Sequence, residues 1–349
     1  MLNQLGLSVY VSTFDRQKVM LEKLIGSGSF IFTSFHIIEE VNEDYLEKAR
    51  HMCEWLAQAN FRIIADVSPK TLDLFHYSDI VEFAEAMQIS VLRLDYGFEI
   101  EQVHKISKKF PLAFNASTLE LPNELTRSDQ FSLYAMHNFY PRPETGLDSE
   151  LFQAINEKLI DNHVEIIAFI PGDLELRGPL KEGLPTLEKH RGWPPYLCYL
   201  DMVKNHYIQR VFIGDVLISD QELALIEQYQ QDRIIQIPTQ LANEHTHLYN
   251  QVFTIRIDSP KGLMRLQESR GYASQGEKEM PVNCLERKRG FVTMDNERYK
   301  RYSGEIQIMR RDYQQDDRVN VIGKIVKPYL PIVDCIKNGD RIKFIPYSP

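Results

Sequence analysis

Several short segments end an apolar run on a residue that can move protons or hold a hydroxyl: RIIADV at Asp66, VLRLD at Asp95, LAFNAS at Asn115 and YAMHNFYP at His137 and Asn138. Carboxylates suit general acid–base or nucleophilic work, while an amide or imidazole suits ligand hydrogen bonding. Phe139 and Tyr140 follow directly and can wall a sugar ring, and Pro141 and Pro143 stiffen the chain behind them. A second group lies in the irregular stretch 171–195, PGDLELRGPLKEGLPTLEKHRGWPP, which carries Glu188, His190, Arg191 and Trp193. Arg191 offers a planar fork for a phosphate or carboxylate. Desolvation beside Trp193 would raise the proton affinity of Glu188 and fit it to an acid's role.

These residues need a frame that brings them together. Short β-type runs (LGLSVYV, FIFTSFHI, FRIIADV, ISVLRLD, PLAFNA, SLYAMH, VEIIAFI, RVFIG) alternate with helix-type runs, the pattern of parallel βα units. Eight such units predict an α/β chain with a (β/α)8 TIM barrel over residues 1–234, whose site lies at the C-terminal ends of the strands. Strand alternation then places Arg93 and Asp95 on the barrel axis, Asp66 on the face of Ile64, and Asn115 on that of Ala113. His137 or Asn138 completes the ring. Two structural readings stay open: Asp95 paired with Arg93, and Asp66 capping the helix after Val-Ser-Pro. Helix starts are expected at Asn42, at Asp148, and at a capping box of Ser219 with Glu222. From 235 to 349 the texture changes to QVFTIRI, SGEIQIM and DRIKFIP separated by SPKG, ERKRG and KNGD turns, which predicts a small antiparallel barrel or sandwich.

Other signals narrow the function class. A net charge of -9 with no clustered positive stretch argues against nucleic-acid binding. IGSGSF at 25–30 precedes the second strand, so it reads as a helix-ending turn at the far end of the barrel. His245 and His247 would share one strand face without a third ligand, so no metal and no cofactor is expected. The four cysteines are far apart and read as reduced thiols. The N-terminal residues lack a leader pattern and no run is long and apolar enough for a bilayer, so a cytoplasmic protein without membrane partners is expected.

RLDYGF at 93–98, HNFYP at 137–141 with TGL at 145–147, TLEKHR at 186–191, and the later SGEIQI and NVIG resemble the MupG-type 6-phospho-N-acetylmuramidases over nearly the whole chain. That resemblance implies a barrel followed by a cyclophilin-like β domain at 235–349. It also implies hydrolysis of the β-1,4 bond between N-acetylmuramic acid 6-phosphate and N-acetylglucosamine in muropeptide recycling, with a small phosphosugar as partner and homo-oligomerisation left open. Glycoside hydrolysis calls for two carboxyl groups, roughly 5 to 9.5 Å apart depending on stereochemistry. The expected catalytic residues are Asp95 as nucleophile or stabiliser and Glu188 or Asp66 as acid, with the substrate's 2-acetamido group as an alternative nucleophile. Arg191 and His190 would hold the phosphate or lactyl carboxylate, and Asn115, His137, Asn138 and Tyr140 the sugar. A metal-dependent sugar-phosphate isomerase or hydrolase using Asp66, Asp95 and His137, and a non-catalytic phosphosugar-binding protein, are the alternatives.

Overall fold

The computed structural model describes residues 4–26, 28–35, 37, 41–117, 133–162, 164–271 and 278–347. Ser27 of the glycine-containing turn and His36 at the tail of the expected second strand lie outside them. The chain divides into two compact units, Met1–Asp220 and Gln221–Pro349.

The first unit is the expected barrel. Strands β1 (Gln4–Ser8), β2 (Phe30–Ser34), β3 (Arg62–Val67), β4 (Val91–Leu94), β5 (Leu112–Asn115), β6 (Leu133–Met136), β7 (Glu165–Ile170) and β8 (Arg210–Ile213) pair in sequence order and close through β1 and β8, all parallel. Helices α1 (Phe14–Glu22), α2 (Tyr45–Gln58), α3 (Pro69–Phe75), α4 (Ile80–Ala86), α5 (Ile100–Ser107), α6 (Ser149–Asp161) and α7 (Pro195–Asn205) lie between them.

Strand alternation sorts the inward side chains into levels. At the N-terminal end the guanidinium groups of Arg62 and Arg210 cover the ring of Phe30, 4.4 and 4.2 Å from its centre. Above them Phe32, Ile64, Val91, Ala113, Met136, Ile167, Phe169 and Phe212 form a buried apolar core. A fully buried side chain of this size contributes about 1.5–3 kcal/mol. Gly6 makes space for one of the rings, since a Cβ there would lie 2.5 Å from Phe212. The next inward positions, Ser34, Asp66 and Arg93, are polar and buried, and they open the C-terminal mouth.

Helix starts follow local chemistry. Asp148 caps α6 by accepting the N–H of Leu151 at 2.7 Å. The α2 start sits two residues beyond the expected one: Asn42 instead accepts the N–H of Asp44, the residue before the helix. Ser68 and Thr71 form the capping box of α3, so Asp66 is not spent as its cap.

The second unit begins with α8 (Asp220–Asp232) and continues through β9 (Ile234–Leu241), β10 (Val252–Thr254), β11 (Leu263–Arg265), β12 (Phe291–Asp295), β13 (Ile306–Met309), β14 (Val319–Ile325) and β15 (Arg341–Pro346). These form a seven-stranded sheet in the order β10-β15-β9-β14-β12-β13-β11. The sheet is mixed: β15 runs parallel to β9, while the other neighbours are antiparallel. His245 and His247 fall in a 3-10 segment, Asn243–Leu248, and not on a strand.

Candidate active site

The polar rim of the barrel is built from adjacent strand ends. Asp66 on β3 and Arg93 on β4 are direct register partners, and both are inward by alternation. Arg93 donates from Nη1 to Asp66 Oδ1 at 2.6 Å and from Nη2 to Asn138 Oδ1 at 2.7 Å. Ser34 on β2 reaches the other Asp66 oxygen at 3.4 Å. Three consecutive strands and the segment that follows β6 therefore fix one hydrogen-bonded chain at the mouth. Arg93 and Asp66 are only 6% and 8% exposed, so this pair is held away from bulk water, where an ion pair is costly to break.

Around this chain lies a cavity of about 350 Å³, lined by Phe32, Ser34, Asp66, Arg93, Asn138, Phe139, Tyr140, Phe169 and Arg177 among others. That volume falls within the ~300–1,000 Å³ range of small-molecule sites. Phe139 stands edge-on to Phe169 and Phe32, with centroids 5.1 and 6.3 Å away, so the expected aromatic wall grows directly out of the barrel core. Tyr140 is fixed by its backbone, its N–H on Pro185 O at 2.9 Å. A second cavity of about 650 Å³ adjoins it, sharing Ile37 and Arg177.

The other expected site residues are placed differently. Asp95 lies beyond Leu94, the last residue of β4, and is exposed. Once the strand has ended, alternation no longer turns its side chain to the axis. His137 borders the mouth cavity, but its ring is fully buried against α6, with Nε2 2.7 Å from Asn156 Oδ1 and Phe152 beside it; burial pushes its pKa down to about 4. Asn138, one residue on, takes the inward position. Asp66, Asp95 and His137 thus do not converge as a ligand set. Asn115 accepts the N–H of Ser117 with its amide oxygen at 3.0 Å.

Glu188 and Arg191 form a clamp. Glu188 Oε1 accepts from Arg191 Nε at 2.6 Å and from the N–H of Glu144 at 2.9 Å, and Oε2 from Arg191 Nη2 at 2.9 Å and from the N–H of Gly146 at 2.8 Å. Arg191 and these N–H groups hold the carboxyl at about pKa 2, so at neutral pH it has no proton to give as an acid. Trp193, expected to desolvate it, packs on His190 instead. The remaining N–H groups of Arg191 go to the carbonyls of Glu182, Gly183 and Tyr140, which spends its whole fork on the protein. His190 is fully buried, 2.9 Å from Asp201 on α7, and burial lowers its pKa; it stands neutral and out of reach of a bound anion. The clamp joins the segments TGL and TLEKHR: Leu147 N–H bonds Thr186 O and Glu188 N–H bonds Leu147 O. Gly146 is required there, because a Cβ would lie 2.6 Å from Glu188 Oε2.

Two residues that line the mouth cavity, Ser34 and Arg177, were not singled out in the sequence. Ser34 follows from the same alternation as Phe30 and Phe32. Arg177 had no signal within the charged loop, and its position depends on Asp215, which follows β8. The buried Asp215 carboxylate accepts the N–H groups of Gly172, Arg177 and Leu184 at 2.9, 2.9 and 3.0 Å, and so latches the long β7–α7 loop over the mouth.

Similarity to known proteins agrees with this architecture. A crystal structure of a conserved protein of unknown function from Enterococcus faecalis is 29% identical, covering 99% of this chain and 97% of its own, with a TM-score of 0.85. An uncharacterized Bacillus cereus protein shares the fold at 23% identity, with 99% and 100% coverage and a TM-score of 0.80. No curated protein matches the sequence. Residues 5–228 match the N-terminal and residues 233–345 the C-terminal family model of 6-phospho-N-acetylmuramidases. With both halves matched in order, the chain belongs to the 6-phospho-N-acetylmuramidase family and is a glycosidase.

Proposed function

We propose that the barrel mouth hydrolyses the β-1,4 bond between N-acetylmuramic acid 6-phosphate and N-acetylglucosamine, in the cytoplasm, during recycling of imported cell-wall fragments. Family membership supports the bond and the substrate class. No helix among the described residues is long and apolar enough to cross a membrane.

The observation that carries the chemical reading is the rigid setting of Asp66. Its two oxygens are engaged by Arg93 and Ser34, and it is the carboxylate among the described residues lining the mouth cavity. One fixed carboxylate, with no second one lining that cavity among the described residues, favours a substrate-assisted course. The 2-acetamido oxygen of the muramic residue attacks its own anomeric carbon as the C1–O4 bond breaks, and the departing O4 of N-acetylglucosamine takes a proton from solvent water. Water then adds at C1 of the oxazolinium ion, re-forming the acetamide and releasing a proton to solvent, while Asp66 orients the amide in both steps. Positive charge developing on the ring is met by a negative group already in place, which needs no reorganisation during the reaction. Phe139 and Phe169 supply the apolar surface against the sugar.

This course retains the anomeric configuration. Proton NMR of the first-formed product from the phosphorylated disaccharide should show the β anomer, and Asp66→Asn should lower kcat by about 10²-fold or more. A first-formed α anomer, or near-normal turnover by the variant, would remove the basis for this assignment.

A further inference from the structure

We propose that Arg177 is the residue that recognises the sugar's phosphoryl group, and that the larger cavity beside the mouth is the phosphate subsite. This rests on the hydrolase reading above and assigns the anionic part of its substrate.

Arg177 lies on the wall common to both cavities, so a group bound there touches a sugar held in the mouth. Its position is fixed from both ends. The backbone N–H is latched to Asp215, and the guanidinium lies over the ring of Tyr10, 4.3 Å from its centre. The Tyr10 hydroxyl in turn donates to Gly214 O at 2.5 Å. Stacking holds the plane of an arginine while leaving its edge N–H groups open. Among the described residues the guanidinium of Arg177 makes no hydrogen bond, whereas Arg191 has all of its N–H groups engaged and Arg16 is paired with Glu175 at 3.1 Å. Lys181, whose N–H donates to Arg177 O at 3.2 Å, closes the same turn and also lines the larger cavity, again without a carboxylate partner among the described residues. Arg16, Arg177 and Lys181 against Glu175 give that cavity three cations and one anion. A phosphomonoester carries about −1.5 to −2 at neutral pH and offers three acceptor oxygens, which matches the surplus. A lactyl carboxylate carries half that charge and leaves Lys181 unanswered.

The test is calorimetric titration of the full chain with N-acetylglucosamine and its 6-phosphate, and with N-acetylmuramic acid and its 6-phosphate. In the wild-type protein each phosphate should tighten binding by about 10- to 150-fold or more, the lower range being that of a single charge-assisted hydrogen bond. Arg177→Ala should remove most of that gap for both sugars, and Arg177→Lys should restore only part of it, because an ammonium lacks the fork; melting curves of both variants check the fold. A gap that survives undiminished in Arg177→Ala overturns the proposal. So does a variant that instead loses the preference for the lactyl-bearing sugar, or a wild-type protein with no gap. An Arg177-dependent gap in a protein that fails to cleave the phosphorylated disaccharide would refute the hydrolase reading and leave the phosphate subsite standing.

Discussion

Glu188→Gln separates two roles for one carboxylate, general acid or loop clamp. The clamp accepts four hydrogen bonds, two of them from Arg191. Glutamine keeps a single acceptor oxygen and turns an NH2 towards donors. The folded carboxyl titrates at about 2 against an ordinary 4.5. At 1.36 kcal/mol per pH unit this corresponds to about 3 kcal/mol at neutral pH. The side chain is 30% exposed, and solvent screening brings the figure to about 2 kcal/mol. Because the folded value is the lower one, the stabilisation is complete above the unfolded value and fades as pH falls from about 4.5 towards 2. For a unit of this size 2 kcal/mol is about 4–8 °C in Tm. Calorimetric melts from pH 3 to 7 should therefore show the variant melting several degrees below wild type at pH 7 and converging with it in acid. The pH profile of kcat/KM should keep the same limbs in both proteins. A variant that melts like wild type and loses the alkaline limb would refute the clamp and restore Glu188 as the acid.

Asp215→Ala should free the β7–α7 loop: three backbone N–H groups lose their acceptor, at about 1–3 kcal/mol for each that stays buried. Hydrogen exchange at residues 172, 177 and 184 should accelerate and KM for the phosphorylated substrate should rise; unchanged exchange there would contradict the latch. In the second unit, burial, reinforced by the charges of Glu305 and Asp316, raises Asp295 to about 7. With the folded value above the unfolded one, the folded state holds the proton longer, so this group costs stability as pH rises from about 4 to about 7. Asp295→Asn should raise Tm at pH 8 and leave it nearly unchanged at pH 4, and equal shifts at both pH values would count against it.

The barrel was legible because its signal is repetitive: each β-run alternates, and each inward Phe, Ile or Val in the middle of a strand points to a polar residue at its end. This located Asp66 and Arg93 from residue parity. It misplaced Asp95, since β4 stops at Leu94 and parity means nothing past a strand's last residue. His137 and Asn138 also lie past the last residue of their strand, Met136, so it is packing that separates them: His137 bonds Asn156 on α6 and Asn138 bonds Arg93, and both side chains are plausible ligand groups by type alone. Glu188, His190 and Arg191 look like chemistry in a charged loop, yet their partners are Gly146 and Glu144 in one case and Asp201 in another, contacts fixed by how two loops and a helix meet. Arg177 was hidden for the same reason, its setting being made by Tyr10 at the start of the barrel and Asp215 near its end. The second unit was legible as a mainly antiparallel β domain, but its strand order and the parallel β9–β15 pair were not, because β-propensity does not specify which strand lies beside which.

That sheet has a consequence for synthesis. Strand β9, the first of its unit to leave the ribosome, sits between β14 and β15, the last two to be made. Nascent β9 therefore exposes both of its edges, with their unpaired amides and Ile-rich side chains, throughout translation of the intervening segment. During that interval the already completed barrel is tethered to a strand that still lacks both of its neighbours.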